Sequence, residues 1–85
     1  LTRLPRKSGE RFDVVCANLL ANLLISERDR ILARVKPGGV LIVAGILKRE
    51  FAEVRKHYES AGLRLISSRA ENEWQSGAFR FFSRT

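Results

Sequence analysis

Two short apolar runs, residues 12–17 and 40–44, frame the first half of this chain, and neither alternates cleanly between apolar and polar residues. A strand with one wet face alternates with period two. Continuous runs of this length therefore predict strands covered on both faces, the pattern of a parallel sheet. Parallel neighbours need a long crossover, usually a helix, and the intervening stretch can supply one. Leu24, Ile31, Leu32 and Val35 fall on one side at helical spacing, with Arg28, Arg30 and Arg34 elsewhere. Ser26, with Asp29 three residues later, has the spacing of a capping box and predicts the start of that helix. Asn22, just before it, reads as a capping or turn residue. Lys36-Pro37-Gly38-Gly39 predicts its end, because proline cannot continue a helix and paired glycines permit a sharp turn.

The second half repeats the theme and then departs from it. After Gly45-Ile46-Leu47 a second helix is expected near Lys48 or Arg49, with Phe51, Val54, Tyr58 and Ala61 as its apolar stripe and Glu53 with Lys56 as a weak surface pair. Gly62 is the expected C′ residue. Leu63, Leu65 and Ser67 alternate with Arg64, Ile66 and Ser68, which predicts a strand exposed on part of one face. Residues 78–83 are aromatic-rich and strand-like, and residues 70–77 form a polar connection long enough for a hairpin. The order is strand, helix, strand, helix, strand, strand. That order predicts an α/β fold: a mainly parallel sheet with one terminal antiparallel strand.

The bulk numbers bound what such a chain can be. Eighty-five residues bury only roughly 60–65% of the surface an unfolded chain exposes, so stability alone is expected to be marginal. A 45% hydrophobic content excludes disorder. The net charge of +7 admits an anionic partner, but the charges are spread along the chain, and a solvated surface is the simpler reading. Cys16 is the only cysteine, which excludes an internal disulfide and fits a reducing compartment; inside its apolar run it reads as a small buried hydrophobe. No run approaches the ~20 apolar residues of a membrane span, and no signal peptide is visible. The chain begins with Leu1, so the expectation is a start inside a longer protein, with residues 1–11 as an incoming loop.

Ligands of open α/β sheets bind outside the carboxyl ends of the strands. Asn18 leaves the first strand at that edge. Its amide offers an acceptor and two donors, enough to bind the amino acid portion of a cofactor or to hold a target amine through its oxygen; equally, it could form an Asx turn. Leu19, Leu20, Leu23 and Leu24 read mainly as core, with one or two near Asn18 placed to wall a site. Gly45 follows the second run at the same edge, either for close backbone approach or for positive φ. The paired glycines Gly38-Gly39 precede a strand and open no helix, so they form a turn and not a phosphate cradle. His57 lies off the apolar stripe and reads as solvent-facing. One histidine and one cysteine so far apart carry no metal-ligand spacing, and no nucleophile–base pair is evident. Glu71 and Glu73 read as solvated. Trp74 covers the sheet edge or packs beside a substrate channel.

Two segments carry a resemblance to a known family. Phe12-Asp13-Val14-Val15-Cys16-Ala17-Asn18-Leu19-Leu20-Ala21-Asn22 and Val35-Lys36-Pro37-Gly38-Gly39-Val40-Leu41-Ile42-Val43-Ala44-Gly45-Ile46-Leu47 resemble the ribosomal protein L11 methyltransferase family. The turn Lys36-Pro37-Gly38-Gly39 before an apolar strand identifies only the class I methyltransferase superfamily. The pair Ala17-Asn18-Leu19-Leu20-Ala21 and Ala44-Gly45-Ile46-Leu47, with Asn72-Glu73-Trp74 downstream, is more specific. The resemblance implies the C-terminal half of a Rossmann-like class I methyltransferase sheet ending in an antiparallel hairpin, so that residues 1–85 are one part of a single catalytic domain. It implies S-adenosylmethionine as cofactor and, as substrates, lysine side chains and the N-terminal amine of a large-subunit ribosomal protein. It makes Asn18 the catalytic and cofactor-contacting residue. Leu19 is then assigned to the cofactor side, Leu20 and Trp74 to the substrate side, and no residue to a metal. A cytoplasmic protein, monomeric when full length and without membrane or nucleic-acid partner, completes the expectation. The family's glycine-rich loop and ribose-binding acidic residue do not occur here, so these residues alone are expected to be inactive.

Two other readings compete. A nucleic-acid base methyltransferase would suit the +7 charge, but such enzymes carry proline and an aromatic after the asparagine to stack a flipped base, where this chain has Leu19-Leu20. A non-catalytic interaction module is compatible with composition alone.

Overall fold

The computed structural model describes residues 11–81. The expected incoming loop therefore lies, apart from Arg11, outside the described residues, as do residues 82 and 83 of the expected last strand. β1 (Phe12–Asn18) and β2 (Val35–Leu47) pair in parallel, linked by α1 (Ala21–Ser26) and α2 (Arg28–Leu32). α3 (Lys48–Glu59) leads to β3 (Leu63–Glu71), which turns directly into β4 (Trp74–Phe81). The sheet order is β1-β2-β4-β3, with β4 antiparallel to both neighbours. The last strand is thus inserted between β2 and β3. That is the α/β architecture with a terminal antiparallel hairpin that the element order implies.

The helical crossover differs from expectation in three ways. It begins at Ala21 and not after Ser26, so Asn22 lies in its first turn; it breaks at Glu27; and it ends at Leu32, short of Lys36. Leu20 starts it from an extended backbone without a side-chain cap, its carbonyl accepting from the Leu23 and Leu24 amides. The Ser26 hydroxyl donates back to the Leu23 carbonyl instead of capping α2. A cap is worth about 1 kcal/mol, whereas burying a leucine is worth roughly 1.5–3 kcal/mol. Seating Ala21, Leu24 and Ile31 in the core decides where the helices lie.

Val35 already pairs with Phe12, and the register then jumps from Phe12↔Val35 to Val14↔Val40. The surplus residues Lys36-Pro37-Gly38-Gly39 loop out of the ladder within the span of β2. Gly38 has φ +79°, and a Cβ on Gly39 would stand 2.9 Å from the carbonyls of Asp13 and Lys36. Positive φ and close approach each require glycine here.

α3 behaves as its stripe predicts. Phe51, Val54 and Tyr58 are buried, Ala61 packs against them, and Gly62 ends the helix at φ +98°. An ion pair on its surface joins Arg55 to Glu59. The polar connection expected at residues 70–77 is mostly strand. Pairing runs from Leu63↔Phe81 to Glu71↔Trp74, leaving only Asn72 and Glu73 as the turn, with Asn72 at φ 54°. Asparagine tolerates that left-handed conformation, which suits a two-residue hairpin.

Among the described residues only one face of the strands is covered. All three helices pack on one face, where Val15, Ala17, Leu41, Val43 and Phe79 join Leu24, Ile31, Val54 and Tyr58 in a single core. The opposite face carries Val14, Cys16 and Ile42 and is open, with Val14 55% and Ile42 36% exposed. Cys16 is therefore exposed and not a buried hydrophobe. The runs look continuous because both faces are apolar, while the described residues supply only one covering layer.

Candidate active site

β1 and β2 run in parallel, β3 runs with them, and β4 begins where β2 ends. One edge of the sheet therefore collects the carboxyl end of β1, the last residues of β2 and the β3–β4 turn. Asn18 closes β1 at this edge, opposite Ala44, with its side chain exposed on the open face. Leu19 follows, half-buried against the core. Leu20, the residue before α1, is 63% exposed.

β2 reaches three residues beyond the end of its pairing with β1 and carries the hairpin with it. Ile46 pairs with Gln75 and Leu47 with Trp74, so the tip overhangs the rim on which Asn18 stands. The Lys48 amide donates to the Glu73 carbonyl at 2.9 Å, fastening the turn to the start of α3. Trp74 is 47% exposed there, and Glu71 and Glu73 are exposed beside it. Asn18, Leu19 and Leu20, consecutive at the end of β1, thus share one edge with Trp74 from the far end of the chain.

Between β1 and the hairpin lies Gly45. Val43↔Gly77 and Ile46↔Gln75 leave Ala44 and Gly45 opposite Ser76 alone, a β-bulge at the point where β1 stops. Gly45 has φ +79°, and the space a Cβ would fill is occupied by Asn18 Oδ1. Both alternatives for this glycine hold together: close approach and positive φ. Its placement after an apolar run was the only signal for this in the sequence. The side chain that would be crowded could not be read there.

His57 is half-buried on α3, away from this edge, in a shallow groove lined by Ala52, Glu53, Lys56 and Ser60. Its carbonyl accepts from Arg28 Nη1 at 3.1 Å, and Ser60 Oγ lies 3.3 Å from the same nitrogen. A cation at a helix C-terminus meets the negative end of the dipole. Arg28, which the sequence placed merely off the apolar face, therefore ties α2 to α3. Among the described residues, no three His, Cys, Asp or Glu side chains gather into a metal-holding group.

Among the described residues, Tyr58 is the strongly perturbed titratable group. Its hydroxyl donates to the Leu24 carbonyl at 2.6 Å, and its ring lies 5.8 Å from that of Phe79. Burial pushes the phenol well above its ordinary value, with the Arg28 charge acting against that. Tyr58 lies within the core and serves packing, not the rim.

The family model described as ribosomal protein L11 methyltransferase (PrmA) matches residues 2–81. The chain belongs to that family. A ribosomal protein L11 methyltransferase of Agathobacter rectalis is 39% identical over 74 residues, covering 86% of this chain and 23% of the relative. The corresponding protein of Staphylococcus aureus is 34% identical over 71 residues, covering 84% and 23%. A crystal structure of ribosomal protein L11 methylase from Lactobacillus delbrueckii subsp. bulgaricus superposes with a TM-score of 0.79 at 19% identity, over 86% of this chain and 38% of that one. At that identity the likeness concerns the fold alone. The chain spans about a quarter of the length of these L11 methyltransferase relatives. No helix among the described residues is long and apolar enough to cross a membrane.

Proposed function

We propose that residues 1–85 form the C-terminal part of a methyltransferase catalytic domain that moves a methyl group from S-adenosylmethionine to amino groups of ribosomal protein L11, both lysine side chains and the N-terminal amine. The observation that carries this reading is the Asn18 amide, exposed at the carboxyl rim of the parallel strands beside a bare Gly45 Cα, in a chain whose family match runs over residues 2–81. The full domain is completed by further segments covering the open face of the sheet. The 85 residues by themselves bind cofactor weakly or not at all.

The residues present fit one wall of a cofactor site. An exposed amide offers an acceptor and two donors to the amino acid end of such a group, a glycine permits close backbone approach, and the half-buried Leu19 anchors the start of the loop in the core. When bound, S-adenosylmethionine supplies an electrophilic methyl carbon on a sulfonium sulfur. Asn18 then has two tasks. It contacts the cofactor, and its Oδ1 accepts a hydrogen bond from the neutral acceptor amine, directing the nitrogen lone pair along the line of attack. Orientation of that kind supplies much of the barrier reduction when nucleophile, carbon and leaving group must be collinear. Leu20 and Trp74, both largely exposed at the rim, flank the acceptor with apolar surface suited to a lysine stem. The enzyme works as a cytoplasmic monomer, where ribosomal proteins are made.

The test uses the complete polypeptide carrying these residues, with radiolabelled methyl donor and purified L11. Asn18→Ala is expected to lower kcat/KM about a hundredfold, within the range ascribed to lost positioning. An unchanged rate removes Asn18 from the site, and label appearing in RNA but not in protein overturns the acceptor class.

A further inference from the structure

We infer that Gly45 is a positioning residue for Asn18: the side chain it lacks sets the direction in which the Asn18 carboxamide points. The inference rests on the reading of Asn18 as a cofactor and acceptor contact, and it deepens that reading by naming what holds the amide in place.

The geometry is specific. Asn18 pairs with Ala44, and both face the open side of the sheet. In an uninterrupted strand the next residue, Gly45, would point to the opposite side, because side chains alternate. The bulge opposite Ser76 breaks that alternation. It turns the Cβ position of Gly45 back onto Asn18, where Oδ1 is the nearest atom and the Leu19 carbonyl oxygen lies 3.8 Å away. Bulges commonly re-aim a side chain in this manner. Here the re-aimed position is empty, and the neighbour's amide fills it. The backbone of β2 thereby fixes the direction of the amide at the rim.

An added methyl at Gly45 cannot share the space with Oδ1. The crowded atom is the far end of a short side chain with two rotatable bonds, so the amide swings aside and the fold survives. What remains is the strain of an L-residue at φ +79°. Gly45→Ala is therefore expected to remove the function of Asn18 while lowering the melting temperature by only a few degrees.

The experiment compares Asn18→Ala, Gly45→Ala, Gly45→Asn and the Asn18→Ala/Gly45→Ala double variant in the complete polypeptide. Binding of S-adenosylhomocysteine is measured by calorimetry, alongside the Asn18 side-chain amide resonance by NMR. Each single variant is expected to weaken binding about tenfold, the loss of one hydrogen bond to a charged group. The double variant should bind no worse than Asn18→Ala, and Gly45→Ala should shift the Asn18 amide resonance without ligand. Asparagine tolerates positive φ but brings the same Cβ, so Gly45→Asn separates crowding from backbone strain even if the alanine variant folds poorly. Wild-type affinity in Asn18→Ala overturns the site reading and this inference with it. Reduced affinity there with wild-type affinity in Gly45→Asn, or additive losses in the double variant, overturns the role of Gly45 and leaves the site reading intact.

Discussion

The two faces of this sheet are built from similar residues and have opposite fates. On one, Leu41, Val43 and Phe79 have no exposed surface and pack against Tyr58 and Val54 of α3. On the other, Val14, Cys16 and Ile42 stand in solvent. Val15 and Val14 are adjacent in sequence and identical in chemistry, yet the first is buried and the second is 55% exposed. Apolar character tells which surfaces a strand can bury. A packed layer of helices decides which ones it does.

The contrast can be broken most decisively at Phe79. Phe79→Ala removes a fully buried ring and its contact with Tyr58, and is expected to cost about 3–5 kcal/mol, enough to abolish cooperative thermal unfolding of the 85-residue chain followed by circular dichroism. A cooperative transition near the wild-type midpoint would mean that the helix-covered face is not the stabilising one.

Tyr58→Phe tests the polar link within the same layer. It leaves the buried Leu24 carbonyl without the hydroxyl that serves it, at an expected cost of about 1–3 kcal/mol. The pH dependence has a definite sign. Because burial raises the folded-state pKa of Tyr58, the native chain keeps a proton that the unfolded chain releases. Stability is complete below the ordinary tyrosine value of about 10 and falls as pH climbs above it. The phenylalanine variant should lack that part of the alkaline decline in a denaturant series.

The smallest effect is expected on the open face, and it sharpens the comparison. Ile42→Ser in the 85-residue chain should shift stability within about ±0.5 kcal/mol, as surface substitutions do. In the complete polypeptide, where the proposed second layer covers Ile42, the same change should cost about 1–3 kcal/mol. Equal costs in the two backgrounds would sink the proposal that this face is covered there.

Much of the rim was readable in advance, for local reasons. The position of Asn18 follows from where an apolar run ends, and the rule that α/β sheets bind ligands at their carboxyl edge does the rest. Trp74 was harder. The polar residues 70–77 resemble a loop, but cross-strand pairing with residues 63–71 draws them into the sheet and carries Trp74 to Leu47. The crowding between Gly45 and Asn18 was hidden for the same reason: it joins positions 27 residues apart (45 − 18) through a bulge that exists only once β4 is in place.

Periodicity and breakers in the chain alone determined the element order, the stripe of α3 and the stop at Gly62, because each depends on residues within a turn or two of one another. The start of the crossover helix, the length of the hairpin and the choice of which apolar face is buried were decided by tertiary packing. Their competing local signals differ by about 1 kcal/mol, and burial of one large side chain in the shared core outweighs that.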